Sequence, residues 1–294
     1  MTDVSIIFVN YKTKDLTIGA IKSVIENTQG LDYEIFVVDN NSQDGSTEAI
    51  EQKYPDIHII QNTTNAGFGA ANNIAIKQAA GKYILCLNTD IILNNNAIKL
   101  FFDFMEKEEN QQTGACGAYL TDGDNEPTNC GGLLPDLLSL FWKFGFNRIF
   151  KNFDKKFFNG KITQKEKYLF KNLGYITGAD LFIRKKVLDE IGLYDENFFM
   201  YYEDTDLCKR IKDKGYKLDL VSDAKIQHLE GKSTTDLLQK RKLSKKSEFY
   251  YFKKHHPQKV WFVKIIYIIL YLIDWLILGH KDGKEILVFI IKNF

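Results

Sequence analysis

The sequence has almost no charge imbalance, with 39 basic residues against 38 acidic ones and a net charge of +1. That balance removes the electrostatic argument for a nucleic-acid-coating protein and names no partner by itself. Cysteines are few and scattered: Cys86, Cys116, Cys130 and Cys208 form no C-x-x-C pair. Neither a zinc ribbon nor a thioredoxin-type site is indicated, and the four read as reduced thiols of a cytosolic protein. The opening stretch, MTDVSIIFVNYK, lacks the basic segment, long apolar stretch and cleavage site of a secretory signal. No internal repeat is apparent. A composition of 45% hydrophobic and 26% charged residues excludes a disordered chain, and 294 residues suffice for one large domain or a domain with an appendage.

What is present begins with alternation. VSIIFVNY (4–11), YEIFVVDN (33–40), IHIIQN (57–62) and YILCLN (83–88) are short β-branched or aromatic runs, each ending in a polar residue. Helical patterns separate them, as in residues 16–27, where Leu16, Ala20, Val24 and Asn27 fall on one face. The spacing predicts βαβ units around a parallel sheet, with ligands beyond the carboxyl ends of the strands. Asn10, Asp39, Asn40, Asn88 and Asp90 should therefore gather along one edge. Residues 114–175 are less regular and read as a mobile cover, with 121–132 a loop and 137–150 apolar but poorly patterned. The segment 174–233 predicts a strand, a helix and a second helix starting near Glu203, with Leu207 and Ile211 on one face and Gly215 as its stop.

The tail, from about 236 to 294, is basic and then apolar. Residues 260–279 are long enough to span a bilayer but carry Lys264 and Asp274. Lys264, Tyr267, Tyr271, Asp274 and Lys281 form one narrow polar stripe on a helix, so the segment lies in a membrane interface, packs on the protein, or spans with a partner for its Asp.

Several constellations carry chemistry, each with a bland alternative. Asp39 in VVDNNS ends a strand, where it either caps the next helix or accepts a hydrogen bond from a pyrimidine N–H. NAGFGAANN (65–73) has Gly67 and Gly69 where a backbone approaches phosphate, but Asn72 breaks the dinucleotide fingerprint, which argues against a dehydrogenase. Asn88-Thr89-Asp90 is either a turn or a place where Asp90 meets Mg2+ or Mn2+, cations that bind through one or two carboxylates and substrate phosphates. Glu203, Asp204 and Asp206 favour a helix start, yet beside four aromatics they also suit a general base. His228 reads as lying in a polar loop, structural or a further metal ligand.

Taken in order, VNYK, VVDNNS, NAGFGAANN, LNTD, TGADLFIRKKVLDEIGLYDENFFMYYEDTDLCKR and HLEGKS resemble a family 2 glycosyltransferase of the GT-A fold, in the bacterial rhamnosyltransferase-like group. The resemblance covers residues 4 to about 235. It implies an α/β, Rossmann-like, mostly parallel central sheet flanked by helices, with a nucleotide-sugar-binding catalytic domain over 1–235 and a helical, membrane-associating extension over 236–294. It also implies that Asp39, Asn10 and Tyr11 hold the nucleotide, with Asn65, Gly67 and Asn88 on the donor side. Asp90, with Asn88 in the first position of the family's Asp-x-Asp motif, would hold Mn2+ or Mg2+, helped by His228. Asp204 would be the catalytic base of an inverting transfer, with Glu203, Asp206 and Arg210 orienting acceptor or supporting the helix. Asp180 stands where relatives often carry a small or apolar residue, and would touch a sugar or solvent. The implied partners are a nucleotide-sugar donor, a glycan or lipid-linked saccharide acceptor and the inner face of the cell membrane, with no nucleic acid. Two rivals are a non-catalytic scaffold, which would tolerate loss of Asp90 or Asp204, and a sugar nucleotidyltransferase, whose Gly-rich first loop is missing from VNYKTKDLT.

Overall fold

The apolar runs of the first ninety residues form strands of one sheet: those at 4–10, 33–39 and 83–87 bury branched and aromatic side chains on both faces, while the run at 58–61 is half-exposed at the sheet edge. They are β1 (Val4–Asn10), β2 (Tyr33–Asp39), β3 (His58–Gln61) and β4 (Tyr83–Leu87). The computed structural model describes residues 2–137, 140, 171–229, 237–277 and 279–294. Helices α1 (Lys14–Asn27), α2 (Ser46–Lys53) and α3 (Phe68–Ile76) connect these strands. The buried face of α1 runs through Thr17, Ala20, Ile21 and Val24, rotated from the predicted one. Thr17 turns inward because its hydroxyl donates to Asn10 Oδ1 at 2.7 Å.

β1 pairs in parallel with β2 on one side and β4 on the other. Sheet growth therefore reverses between β3 and β4, which opens a crevice at the carboxyl ends of β1 and β4 where α/β sheets bind ligands. The remaining elements complete the sheet and cover it. They are β5 (Ile91–Leu93), α4 (Ala97–Glu106), β6 (Thr113–Thr121), β7 (Gly131–Gly132), β8 (Tyr175–Ile176), β9 (Asp180–Arg184), α5 (Lys185–Ile191), α6 (Glu203–Asp213) and β10 (Lys217–His228). The order across the eight-stranded sheet is β3-β2-β1-β4-β9-β6-β10-β5. It is a mixed sheet, with four parallel pairings and three antiparallel ones, the latter involving β9 with both neighbours and β5 with β10.

Two readings of the sequence are corrected by this topology. Residues 114–121 are not part of a cover but of β6, which lies inside the sheet. His228 does not lie in a loop: it is the last residue of β10, paired with Ile91. The strand pattern of β10 is concealed in sequence by a register break between Val221 and Lys225, a bulge that admits Ser222 and Asp223. Most of 137–150, and residues 230–233 of HLEGKS, lie outside the described residues.

The tail forms α7 (Leu237–His255), α8 (Val260–Leu276) and α9 (Lys281–Asn293). A second apolar cluster joins them to the segment before α6: Phe198 and Tyr202 pack with Phe249, Phe252, Val263, Tyr267, Ile286 and Ile290. The polar stripe of α8 faces this cluster, since Tyr267 is fully buried and receives a hydrogen bond from Lys245 at 3.2 Å. Trp261, Phe262, Ile265, Ile269, Ile273 and Leu276 are left exposed on the helix surface. Among the described residues, no helix is long and apolar enough to cross a membrane.

Candidate active site

A cavity of about 740 Å3 opens at the β1/β4 crevice. Its lining includes Tyr11, Asn40, Asn65, Asn88, Asp90, Glu203, Asp204 and His228. Residues up to 217 positions apart in the chain thus share one wall because the switch in strand order brings the β1, β4 and β10 ends together and α6 crosses over them.

The turn between β4 and β5 carries the first functional group. Asn88 N–H donates to Ala179 O at 2.9 Å and Leu229 N–H donates to Asp90 O at 2.8 Å, so both sides of the turn are tied to neighbouring segments. His228 Nε2 lies 3.3 Å from Asp90 Oδ1 and 3.4 Å from Asn88 Nδ2. Thr13 and Thr89 hydroxyls meet at 3.1 Å beneath the turn. Among the described residues, no group of three or more His, Cys, Asp or Glu side chains is arranged to hold a metal ion. Asp90 and His228 offer one carboxylate and one imidazole. That set fits a divalent cation whose remaining ligands are substrate phosphate oxygens and water, the usual arrangement for Mg2+ and Mn2+.

The second group begins α6. Tyr201 and Tyr202 both have left-handed backbone, with φ of 69° and 67°, conformations that cost bulky residues roughly 1–3 kcal/mol each. The bend aims Glu203 and Asp204 at the cavity. Asp204 Oδ2 accepts from Gly178 N–H at 2.8 Å, and Oδ1 accepts from Thr205 N–H at 2.6 Å and the Thr205 hydroxyl at 3.1 Å. Burial raises the Asp204 carboxyl above its ordinary value, while those donors pull the other way by favouring the anion. Glu203 differs. Burial first, and the neighbouring Asp204 charge second, push it up to about 8, and its Oε2 has no partner among the described residues. Of the adjacent carboxyls, Asp204 is the one prepared to ionise and Glu203 the one kept neutral at pH 7.

The donor-side residues form a connected bed. Asn10 Nδ2 donates to Asp39 Oδ1 at 2.6 Å and to Ser42 Oγ at 3.0 Å, and Ser42 N–H donates to Asp39 Oδ2 at 2.9 Å. Asp39 therefore shapes its own turn and does not cap α2, whose first turn is tied instead by Asp44 to Ser46 N–H at 3.1 Å. Asp39 lines an adjoining cavity of about 350 Å3 with Asn41, Asp44 and Gln61, and Asn10 is buried behind both. Gly67, at φ 88°, lets its loop approach the Tyr201 segment: a Cβ there would stand 2.2 Å from Phe199 O, and Phe68 N–H donates to that same oxygen at 3.0 Å. Asn65 Oδ1 accepts from Gly67 N–H at 3.0 Å.

Three predicted site residues stand elsewhere. Asp180 is closed to solvent and does not line the cavity: it is fully buried in β9, accepts a hydrogen bond from Ala118 N–H, and burial pushes its carboxyl well above the carboxylate range. Asp206 is turned away from the cavity, bonded to Arg210 Nε at 2.9 Å, His255 at 2.7 Å and Lys254 at 2.7 Å. Burial alone would raise it, but His255, Lys254 and Arg210 together bring it below its ordinary value. Arg210 spends its other donors on the carbonyls of Ile191, Gly192 and Leu193, which fixes the chain entering the Tyr194–Tyr202 loop. Both brace α6, and neither lines the cavity.

Sequence reasoning missed Gly178 and Thr205 as partners of Asp204, and it missed that α7, expected only as part of a helical tail, packs on the segment before α6. Glu248 accepts from Tyr202 OH at 2.6 Å and Lys245 at 2.7 Å, and Ser247 donates to Met200 O at 2.7 Å. Lys240 and Ser244 of α7 line the main cavity. No signal in the sequence places a residue of α7 in the cavity lining, because that position depends on how the tail folds back.

An eight-stranded mixed sheet with a carboxylate turn at its switch point and an acidic helix start across the cavity is the frame of a GT-A glycosyltransferase. The profile described as Glycosyl transferase family 2 matches residues 5–192, and the chain belongs to that family. It is a glycosyltransferase of the rhamnosyltransferase-like kind. Among its relatives is the N-acetylglucosaminyl-diphospho-decaprenol L-rhamnosyltransferase of Mycobacterium tuberculosis, 24% identical over 217 residues, which span 68% of this chain and 67% of the relative. Rhamnosyltransferase WbbL of Escherichia coli is 26% identical over 212 residues, 68% of this chain and 75% of that one. Among solved structures, mannosyltransferase PcManGT from Pyrobaculum calidifontis, in complex with GDP-Man and Mn2+, superposes with a TM-score of 0.60 at 15% identity, covering 99% of this chain and 75% of the other. GalNAc-T7 with UDP, GalNAc and Mn2+ gives 0.58 at 16% identity, covering 86% and 50%. At such identities the likeness shows the fold alone. The scaffold and nucleotidyltransferase alternatives are not favoured.

Proposed function

We propose that the protein moves a sugar from a nucleotide-diphosphate donor, dTDP-rhamnose or a UDP-hexose, to a hydroxyl of a growing lipid-linked surface polysaccharide, with inversion at the anomeric carbon. The observation that carries this reading is Asp204, held by three hydrogen bonds and lining the same cavity as Asp90 and His228.

In this mechanism Asp204 accepts the proton of the acceptor hydroxyl as that oxygen attacks the anomeric carbon. The bond to the nucleotide diphosphate breaks on the opposite face, which gives inversion. Neutral Glu203 adds no second negative charge where the nucleophile develops its own. Asp90 and His228, with Asn88 beside them, would hold Mn2+ or Mg2+. The bound cation would supply positive charge to the departing diphosphate. Tyr11, Asn40 and Asn65 line the donor end, and the Asn10–Asp39–Ser42 cluster supports that loop beside a nucleotide base. Binding at fixed geometry accounts for much of the remaining acceleration.

Residues 1–235 make the catalytic unit in this reading and 236–294 a unit that rests on the cytoplasmic face of the membrane. The outward apolar surface of α8 supports this, since a helix whose polar stripe packs inward leaves its apolar side for another apolar medium. A thermal-shift panel of UDP, dTDP and GDP sugars, with and without Mn2+, tests the assignment. The preferred donor raises the melting temperature more with Mn2+ present, and a panel that shifts with no nucleotide sugar overturns it.

A further inference from the structure

A short run of chain links the base to the Asp90 turn. Gly178 N–H donates to Asp204 Oδ2 at 2.8 Å, Ala179 O accepts from Asn88 N–H at 2.9 Å, and the next residue is Asp180, the first of β9. Whatever fixes the path of 178–180 therefore fixes where the base stands relative to that turn.

β9 is held unequally on its two sides. Toward β4 it makes five consecutive pairs, from Tyr83–Arg184 to Leu87–Asp180, and the bond between Asn88 and Ala179 continues them. Toward β6 it makes two, Ala115–Ile183 and Cys116–Phe182. The same register would next set Ala118 opposite Asp180, but the ladder has ended there, and a side chain, the Asp180 carboxyl, accepts from Ala118 N–H in its place. Gly117 leaves room for this arrangement, since a Cβ there would stand 2.7 Å from Ile176 Cγ2 and 3.3 Å from Asp180 Oδ1. The carboxyl is fully buried, and its Oδ1 has no hydrogen-bond partner among the described residues. Burying a polar group with an idle oxygen is costly, and an apolar side chain beside a continued ladder would close the sheet at less cost. The carboxyl instead spans a gap the length of a side chain, which lets the chain at 178 leave β6 and reach Asp204.

We propose that Asp180 is a positioning residue: by accepting from Ala118 N–H it fixes the path of 178–180, so that Gly178 N–H stays on Asp204 and the base keeps its place relative to the Asp90 turn. Burial suppresses the charge of Asp180, so it does this as a neutral group. This rests on the transferase reading and adds to it a residue outside the cavity on which the base depends.

The test compares D180L, D180N and G117A in the full chain with Mn2+ present. Activity is read as nucleoside diphosphate released from the nucleotide sugar preferred in the thermal-shift panel, which counts transfer to added N-acetylglucosaminyl farnesyl diphosphate and to water alike. Nucleoside diphosphate affinity is read by titration calorimetry. D180L removes the acceptor at similar size, so kcat should fall about tenfold while nucleoside diphosphate affinity changes by less than about twofold, because the β4 side of β9 is intact. The acid limb of its kcat profile should move to higher pH, since Asp204 must be ionised to take a proton and now loses a donor that favours the anion. The titratable groups around Asp204 include Glu203 and Cys208 of α6, Tyr175 of β8 and Tyr194 of the preceding loop, and the variants alter none of them. D180N keeps an acceptor oxygen in the same shape and should recover most of the loss. G117A crowds the same carboxyl from β6, should repeat the D180L pattern, and carries the test if D180L does not fold. A folded D180L or G117A with wild-type kcat would overturn the proposal, as would a fall in kcat with the acid limb unmoved, which marks a structural residue only. D180N as impaired as D180L would also overturn it. Wild type that releases no nucleoside diphosphate from any nucleotide sugar would instead sink the transferase reading.

Discussion

Replacing Glu248 with Gln tests whether the tail holds the catalytic helix in place. Glu248 is buried, and its hydrogen bonds include those from Tyr202 OH at 2.6 Å and from Lys245 at 2.7 Å. A hydrogen bond to a charged partner contributes about 1.5–3 kcal/mol, and removing one member of a buried pair costs about 3–5 kcal/mol. Against this stand the left-handed backbones of Tyr201 and Tyr202, roughly 1–3 kcal/mol each. The two quantities are of similar size, so the clamp is large enough to hold the strain and its loss is large enough to release it. Once released, Tyr202 no longer fixes the direction in which α6 starts, and Asp204 leaves its position part of the time. A misplacement worth about 1.4–2.8 kcal/mol lowers kcat about tenfold to hundredfold. Donor KM should stay near wild type, because the Asp90 turn is tied through Ala179 and Leu229 rather than through Glu248. The assay is steady-state transfer with thermal melts as a folding check. A Tyr202→Phe variant, combined with Glu248→Gln in a double-mutant cycle, reads the coupling between the two. If E248Q is folded and its kcat equals wild type, the clamp has no part in positioning.

Three further outcomes follow from the geometry. Glu203, raised in the folded protein to about 8 from an ordinary 4.5, favours the fold when protonated; its contribution is full below 4.5 and is lost as pH rises through 8. The melting temperature of Glu203→Gln relative to wild type should therefore climb between those limits, and parallel curves would contradict the assignment. Gly67→Ala combines left-handed strain with a Cβ 2.2 Å from Phe199 O. Urea melts should show a loss of roughly 1–3 kcal/mol, and an unchanged midpoint would mean the loop moves freely. Replacing Trp261 and Ile265 with Ser removes apolar side chains that each contribute about 1.5–3 kcal/mol when fully buried, so flotation with anionic vesicles should fall more than about tenfold. Equal flotation would exclude that surface as the membrane contact.

The four leading strands were legible because their residues are apolar on both faces and end in polar side chains at the crevice. Asp90, Glu203 and Asp204 were legible for a related reason: carboxylates beside apolar runs have few structural uses. The rest depended on long-range contacts. β10 was hidden by its bulge, and with it the placement of His228 against Ile91. Asp206 and Arg210 shared the acidic cluster's appearance, but a helix start gives no sign of which side chains point inward, and theirs point to α7 and to the Ile191–Leu193 carbonyls. Asp180 was ambiguous in a strand that is buried on every side. The polar stripe of α8 was readable as a pattern, but its inward direction was set by Lys245 and the aromatic cluster of α7.

The most direct measurement is single-turnover transfer by Asp204→Asn beside donor binding by the same variant. The account predicts a rate about a thousandfold below wild type, in the range expected for loss of a general base, with donor affinity unchanged within about twofold. Turnover close to wild type from the folded variant would contradict it.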